Sequence, residues 1–182
     1  MAKFPDVQQK VYDDIIGSAP VATVERIQSK HVEKMSYLNA FLNEVLRLFP
    51  PVGFFPRVNR QDEDLGKGVI LPAGTRIAIA PHLLHRHPAY WDDPETFLPE
   101  RWLNVSDVEA ERRRFTFLPF SAGGRNCIGQ RFATIEAQLI LAPIVREFRV
   151  QIARSQRDVD FKFTTAVTMK TKPKMKISIQ KR

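Results

Sequence analysis

The chain has 182 residues, 43% of them hydrophobic and 26% charged, which is enough apolar material for one sizeable core and excludes a disordered chain. Its net charge of +8 permits nucleic acid, anionic lipid or an acidic protein as partner, but no nucleic-acid motif accompanies the basic residues, so they read as a solvated surface. The single cysteine, Cys127, excludes an internal disulfide; no stretch reaches the roughly 20 apolar residues of a membrane span, and Met1 to Gln8 lack a signal peptide's apolar core.

Taken in order, Asp6 with Gln9 three residues on resembles a helix N-cap, and Val7, Val11, Ile15 and Ile16 follow at helical spacing until Gly17 and Pro20. A polar helical stretch is predicted from Val21 to Lys34. Ser36 then caps a helix whose apolar stripe is Leu38, Phe41, Leu42, Val45, Leu48 and Phe49, ended by Pro50-Pro51. Glu44 and Arg47 lie beside that stripe, three residues apart, and on spacing alone form a helix ion pair of about 0.2–0.5 kcal/mol.

Gly68 to Ala80 reads as a hairpin in which Val69-Ile70-Leu71 and Arg76-Ile77-Ala78-Ile79 flank the turn Pro72-Ala73-Gly74-Thr75. His82, His85 and His87 fit no helical zinc signature, and no cysteine or carboxylate cluster completes a ligand set, so no metal is expected there. Leu103 to Phe117 is polar, charged and predicted irregular. Gly129 to Phe148 is predicted helical, its stripe running through Phe132, Ile135, Ala137, Leu139 and Ile140, with a kink or early end near Leu141 because Pro143 lies inside. Beyond it, alternation as in Met175-Lys176-Ile177-Ser178-Ile179 predicts strands.

The most informative segment is Phe120-Ser121-Ala122-Gly123-Gly124-Arg125-Asn126-Cys127-Ile128-Gly129. Its three glycines suit a backbone with unusual dihedrals, or one that a bulky flat ligand approaches closely. Cys127 falls just before or within the first turn of the following helix, where free N–H groups and the dipole favour a thiolate. The plain alternative is a buried cysteine acting as a small hydrophobe.

Phe120, Gly123, Arg125, Cys127 and Gly129, in the spacing Phe-x-x-Gly-x-Arg-x-Cys-x-Gly, resemble the haem-binding loop of the cytochrome P450 haem-thiolate monooxygenases. Glu44-Val45-Leu46-Arg47, followed by Leu48-Phe49-Pro50-Pro51, looks like the family's Glu-x-x-Arg helix, and Phe97-Leu98-Pro99-Glu100-Arg101-Trp102 resembles its Pro-Glu-Arg-Phe segment, with Trp102 where Phe is usual. The resemblance implies a mainly α fold with small β-sheets, in which residues 1–182 are the C-terminal portion of a cytochrome P450 domain, truncated and lacking the distal helix. By the same resemblance Cys127 is the axial thiolate ligand of a haem b iron, donating electron density that favours O–O cleavage. Backbone amides after Cys127 point at its sulfur, Phe120 packs on the proximal face, Gly129 closes the cofactor loop, and Arg57 and Arg125 pair with propionates. Glu44, Arg47 and Arg101 form a buried structural triad. Val52 to Phe55 line the substrate pocket, against plain core packing for Phe54 and Phe55; Thr164-Thr165-Ala166-Val167 dips into it, against an exposed hairpin tip. His85 approaches a propionate.

The implied activity is a monooxygenase inserting one atom of dioxygen into a small, apolar organic substrate, with electrons from a reductase docked at Arg112 to Arg114 and Arg131. The residues that deliver protons to dioxygen would precede Met1, so none is assigned a catalytic role. Membrane association would come only from that preceding sequence, and the full-length parent would sit on the cytoplasmic face of the endoplasmic reticulum. The alternatives are a non-catalytic haem-binding fragment and a basic binding module without haem.

Overall fold

Three helices make the core, and their pairing explains where each begins and ends. The computed structural model describes residues 1–19, 27–165 and 168–182. Helix α1 (Pro5–Ser18) starts on Pro5 with Phe4 at the cap position, so the predicted Asp6 cap is corrected. A proline at the first helical position loses nothing, because that N–H has no partner in the helix. Helix α2 is a single turn, Ser29–Val32, much shorter than the helix expected from Val21 to Lys34, of which residues 21–26 lie outside the described residues.

Helix α3 (Ser36–Leu48) takes its N-terminal cap from another helix. Ser36 is its first residue and caps nothing; instead Asp14 of α1 accepts from the backbone N–H of Tyr37 and of Leu38, both at 2.9 Å. A carboxylate there also faces the positive end of the helix dipole. Local sequence reading looks for a cap within the helix's own segment and cannot see one supplied from 22 residues upstream of Ser36.

Val11 and Ile15 of α1, Leu38 and Phe41 of α3, and Ala142 and Val145 of helix α6 (Gln130–Glu147) meet in one cluster with Val32 and Met35. Of the expected kink or early end near Leu141, the early end does not occur. Pro143 cannot donate to the Leu139 carbonyl, yet Ala142 and Val145 on either side are fully buried, and that packing carries α6 on to Glu147. The buried face of α6 is Gln138, Ala142 and Val145, whereas Phe132 and Ile140 of the expected stripe are 70% and 54% exposed.

The described strands form antiparallel pairs. Strands β1 (Phe55–Val58) and β4 (Arg76–Ile79) pair in the register Arg57↔Ile77, and β2 (Glu63–Asp64) pairs with β3 (Ile70–Leu71). The hairpin is therefore nested, and the expected pairing of Val69–Leu71 with Arg76–Ile79 is corrected. Its tip is Gly66-Lys67-Gly68, all with positive φ, while Pro72 to Thr75 forms a side turn held by Asn59 and Asp62 (Gly74 N to Asn59 O 2.9 Å, Ala73 N to Asp62 Oδ1 2.7 Å). Turn-prone residues occur twice here, and only the outer pairing decides which turn reverses the chain.

A short helix α4 (Pro81–Leu84) leads out of β4. Helix α5 (Asp107–Thr116) replaces the predicted irregular segment. Ser106 caps it by accepting from Glu109 N, Asp107 and Glu109 sit in its first turn, and Arg113 and Arg114 in its last, so both ends suit the dipole. At the C-terminus β5 (Phe148–Ile152) pairs with β8 (Ile177–Lys181) and β6 (Lys162–Thr165) with β7 (Met169–Lys172), as the alternation predicted. Gln8 of α1 clamps β5 by both its amide groups on Val150 (2.8 and 2.7 Å).

Asp14→Ala is expected to cost about 0.5–2 kcal/mol, the range for losing a helix cap, while Ser36→Ala should be close to neutral. Denaturant midpoints of the two variants check this; a larger loss in Ser36→Ala would reverse the assignment.

Candidate functional site

The glycine-rich loop leaves the core at Leu118, passes through one 3₁₀ turn at Gly123–Arg125 and reaches the N-terminus of α6 at Gly129. Ser121 (φ 66°) and Gly123 (φ 75°) take the left-handed backbone region; Gly129 has an ordinary φ of −84°. Of the three glycines only Gly123 is therefore demanded by conformation. A Cβ built at Gly123 or Gly124 meets nothing within 4 Å, and at Gly129 it would stand 3.8 Å from Cys127 Sγ in ordinary contact, so this flank of the loop is open.

Cys127 lies two residues before the N-cap of α6, and its thiol is exposed. The loop closes on Cys127 N–H donating to Phe120 O at 2.9 Å, with Asn126 N to Gly123 O at 3.1 Å inside it. The expected amide bonds to the sulfur are not formed among the described residues; Gln130 N–H donates to the Cys127 carbonyl instead, at 3.3 Å. The plain alternative of a buried cysteine is excluded by the exposure. Cys127 lines a groove of about 930 Å³ between α3 and α6, whose mainly apolar wall includes Leu42, Val45, Phe120, Ile128 and Ala133.

Strand β1 brings Arg57 onto this loop. Its Nη2 donates to Ser121 Oγ at 2.5 Å and to the Arg125 carbonyl at 3.4 Å, and its guanidinium lies 4.7 Å from the centre of the Phe55 ring. Arg57 thus reaches the loop that carries Cys127, on which Arg125 is exposed. Phe54 is 55% exposed, which removes core packing as its role, and Phe55 is half-buried under Arg57. The β6–β7 hairpin is tied nearby, Met169 N–H donating to Pro51 O at 2.8 Å; Ala166 and Val167 lie outside the described residues.

Behind the loop stands the Glu44–Arg47 pair, with both side chains fully buried. Arg47 uses all five of its N–H groups: Nε and Nη2 grip Glu44 at 2.9 and 2.8 Å, Nη1 donates to the carbonyls of His85 (2.9 Å) and Pro94 (2.6 Å), and Nη2 also reaches Thr96 O. Glu44 accepts in addition from Leu98 N (2.9 Å), Arg101 Nε (3.2 Å) and the Trp102 indole N–H (2.9 Å). Burial alone would raise its pKa; the bonds from Arg47, Leu98 and Trp102 together with the Arg47 charge outweigh that and hold it below the ordinary value. The expected triad with Arg101 is formed. Trp102 does more than keep an aromatic ring in place, since its indole supplies a hydrogen bond that Phe cannot.

Arg113 lies over Trp102 at 4.6 Å and over Trp91 at 5.5 Å, and donates to Glu109 and to the Arg101 carbonyl. It belongs to the packing around Trp102 and not to a docking face. Arg112 and Arg114 pair with Glu109 and Glu111 on α5 itself. Consecutive in sequence, the three arginines form one basic cluster only if the segment is irregular; the helical spacing of α5 splits them.

His85 is also corrected. It is fully buried, its Nε2 accepting from Leu118 N at 2.7 Å and its Nδ1 lying 3.2 Å from Arg47 O, so neither ring nitrogen is free for a propionate. Burial lowers its pKa from 6.5 to about 4. Among the described residues no three His, Cys, Asp or Glu side chains gather as metal ligands, and no helix is long and apolar enough to cross a membrane.

Residues 1–178 match the cytochrome P450 family model, almost the whole chain. The chain belongs to the cytochrome P450 family. It is 32% identical over its full length to probable cytochrome P450 4p3 of Drosophila melanogaster, 37% identical over 85% of its length to cytochrome P450 4V2 of Rattus norvegicus, and 36% identical over 87% to cytochrome P450 4c21 of Blattella germanica. It spans about a third of the length of these relatives (34%, 29% and 31%). Cytochromes P450 carry a haem iron, and the helices and small sheets described above are consistent with part of that fold.

Three outcomes are expected from this geometry. Trp102→Phe should cost about 1.5–3 kcal/mol, the range for a hydrogen bond to a charged group, and Glu44→Ala or Arg47→Ala about 3–5 kcal/mol because each strands a buried charge; denaturant titrations of the variants measure both. Stability should also fall as pH drops from 6.5 to 4, by about 3 kcal/mol in all, because the unfolded chain takes up a proton at His85 in that window and the folded chain does not. The slope over this window should shrink in His85→Gln, and an unchanged slope would assign the acid loss to other groups.

Proposed function

We propose that residues 1–182 are the C-terminal portion of a cytochrome P450 domain and hold haem b through Cys127, as part of a haem-thiolate monooxygenase. The observation that carries this reading is the exposed Cys127 thiol on the wall of a mainly apolar groove, with Arg57 reaching its loop and Arg125 exposed on it. The donor set suits haem: a soft thiolate for iron, apolar side chains for the macrocycle, and two guanidiniums for carboxylates. The open flank at Gly123 and Gly124 leaves room for a flat ligand.

Bound haem supplies the redox chemistry by which one atom of dioxygen enters an organic substrate and the other leaves as water, with electrons from a reductase. The chain's own residues hold and shield it. Cys127 binds from a position two residues ahead of the α6 N-cap, with its thiol exposed. Arg57 and Arg125 orient the propionates, Phe120 packs against the proximal face, and Gly129 ends the loop at the helix cap. The mainly apolar groove wall suits a small apolar substrate better than a charged one. Of the basic residues first considered for reductase docking, Arg112, Arg114 and Arg131 remain at the surface, and association rates should fall as salt rises.

The deciding measurement is the absorption spectrum of the chain with haem, reduced under carbon monoxide, beside Cys127→Ser. A long-wavelength thiolate Soret band lost in the variant is the expected result, with weaker haem binding in Arg57→Ala and Arg125→Ala. The same spectrum in both proteins would overturn the assignment of Cys127. Haem uptake without turnover in the presence of reductase would favour a non-catalytic haem-binding role.

A further inference from the structure

His85 is buried and titratable, its ring bonds two backbone groups, and the proposed function uses it for neither haem nor substrate. We propose that His85 is a positioning residue for Cys127, the link by which the Glu44–Arg47 pair fixes the start of the cysteine loop. The proposal rests on the reading that Cys127 holds haem iron.

The link is continuous. Arg47 Nη1 donates to the His85 carbonyl at 2.9 Å, and the His85 ring returns to α3 with Nδ1 3.2 Å from the Arg47 carbonyl. On its other edge Nε2 accepts from Leu118 N–H at 2.7 Å. An accepting Nε2 carries no proton, so the proton sits on Nδ1 and donates to Arg47 O. One neutral tautomer therefore satisfies both partners at once. The ring is further held against Phe117, centroids 5.2 Å apart.

From Leu118 the bonds run on to the cysteine. The Leu118 carbonyl accepts from Ser121 N at 3.2 Å, Ser121 Oγ accepts from Arg57, and the Phe120 carbonyl accepts from Cys127 N at 2.9 Å. Pro119 has no N–H, so the Leu118 amide is the last backbone donor before the loop proper. Proline also holds Leu118 extended, which aims that amide in one direction. The imidazole takes the one donor that sets where the loop departs.

A side chain of similar size without the acceptor would fill the cavity but leave the Leu118 N–H buried and unpaired. That penalty is met most directly by letting the loop entry move. The displacement would be passed to Cys127 and Arg57, not to the α1–α3–α6 core, which His85 does not join.

The test uses the haem-loaded protein, reduced under carbon monoxide, as wild type, His85→Gln and His85→Phe, with the fold monitored by circular dichroism. Wild type should give the long-wavelength thiolate band; if it does not, the assignment of Cys127 fails, independently of His85. With that band present, His85→Phe is expected to shift the spectrum toward the short-wavelength form and to release haem to a scavenger roughly tenfold faster, on the scale of one unsatisfied buried amide. His85→Gln, whose amide can both accept and donate, should keep most of the wild-type ratio. A folded His85→Phe with wild-type spectrum and release rate overturns the proposal, as does a folded His85→Gln that loses the band. Should His85→Phe not fold, His85→Gln decides alone by the same criterion.

Discussion

The buried ion pair between Glu44 and Arg47 is the interaction on which the remaining parts depend. Two charges taken out of water are tolerable only when every polar atom finds a partner, and here two hydrogen bonds join the pair and six more reach it from residues 85–96 and from the 98–102 segment. Those partners are mostly backbone groups of segments with little regular structure. The pair therefore organises the part of the chain that cannot organise itself through helix or sheet ladders. An apolar replacement could fill the volume but could not orient three carbonyls and the Leu98 amide.

From that centre the order extends outward in two directions. Through Trp102 and Arg113 it reaches α5, whose arginine lies against two neighbouring indole rings and whose carboxylates pair with the neighbouring arginines. Through His85 it reaches Leu118 and the cysteine loop. The second core, formed by α1, α3 and α6, is apolar and ordinary, and α3 belongs to both. Its Leu38 and Phe41 face the apolar cluster while Glu44 and Arg47 face the polar one, so a single helix sets the distance between them.

Much of this was legible. The Phe-x-x-Gly-x-Arg-x-Cys-x-Gly spacing, the Glu-x-x-Arg helix and the Pro-Glu-Arg-Trp segment identified the family, and the triad followed from it residue by residue. What escaped was long-range. Asp14 capping α3, the β1–β4 pairing and His85 beneath Leu118 each join residues far apart in sequence, and no local periodicity encodes such a choice. That α6 runs on past Pro143 has a related reason: the local cost of proline is real, but burial of Ala142 and Val145 decides where the helix ends. Ser106 with Asp107 and Glu109 was a readable cap that the high charge of the segment concealed. The exposed Phe132 and Ile140 obey helical spacing yet lie off the buried face, since periodicity names a stripe without naming its cover.

The nested hairpin has an architectural corollary. Val58 and Arg76 stand opposite one another at the base, so the chain between them departs from and returns to the same point. Its length is thereby uncoupled from the geometry of Arg57, which is set at the base alone. Loop closure grows only logarithmically with length, about 0.6 kcal/mol per doubling, so evolution can lengthen, shorten or redecorate this excursion while the anchoring of the cysteine loop stays untouched. The excursion is thus a place where members of one family can diverge in surface without renegotiating their chemistry.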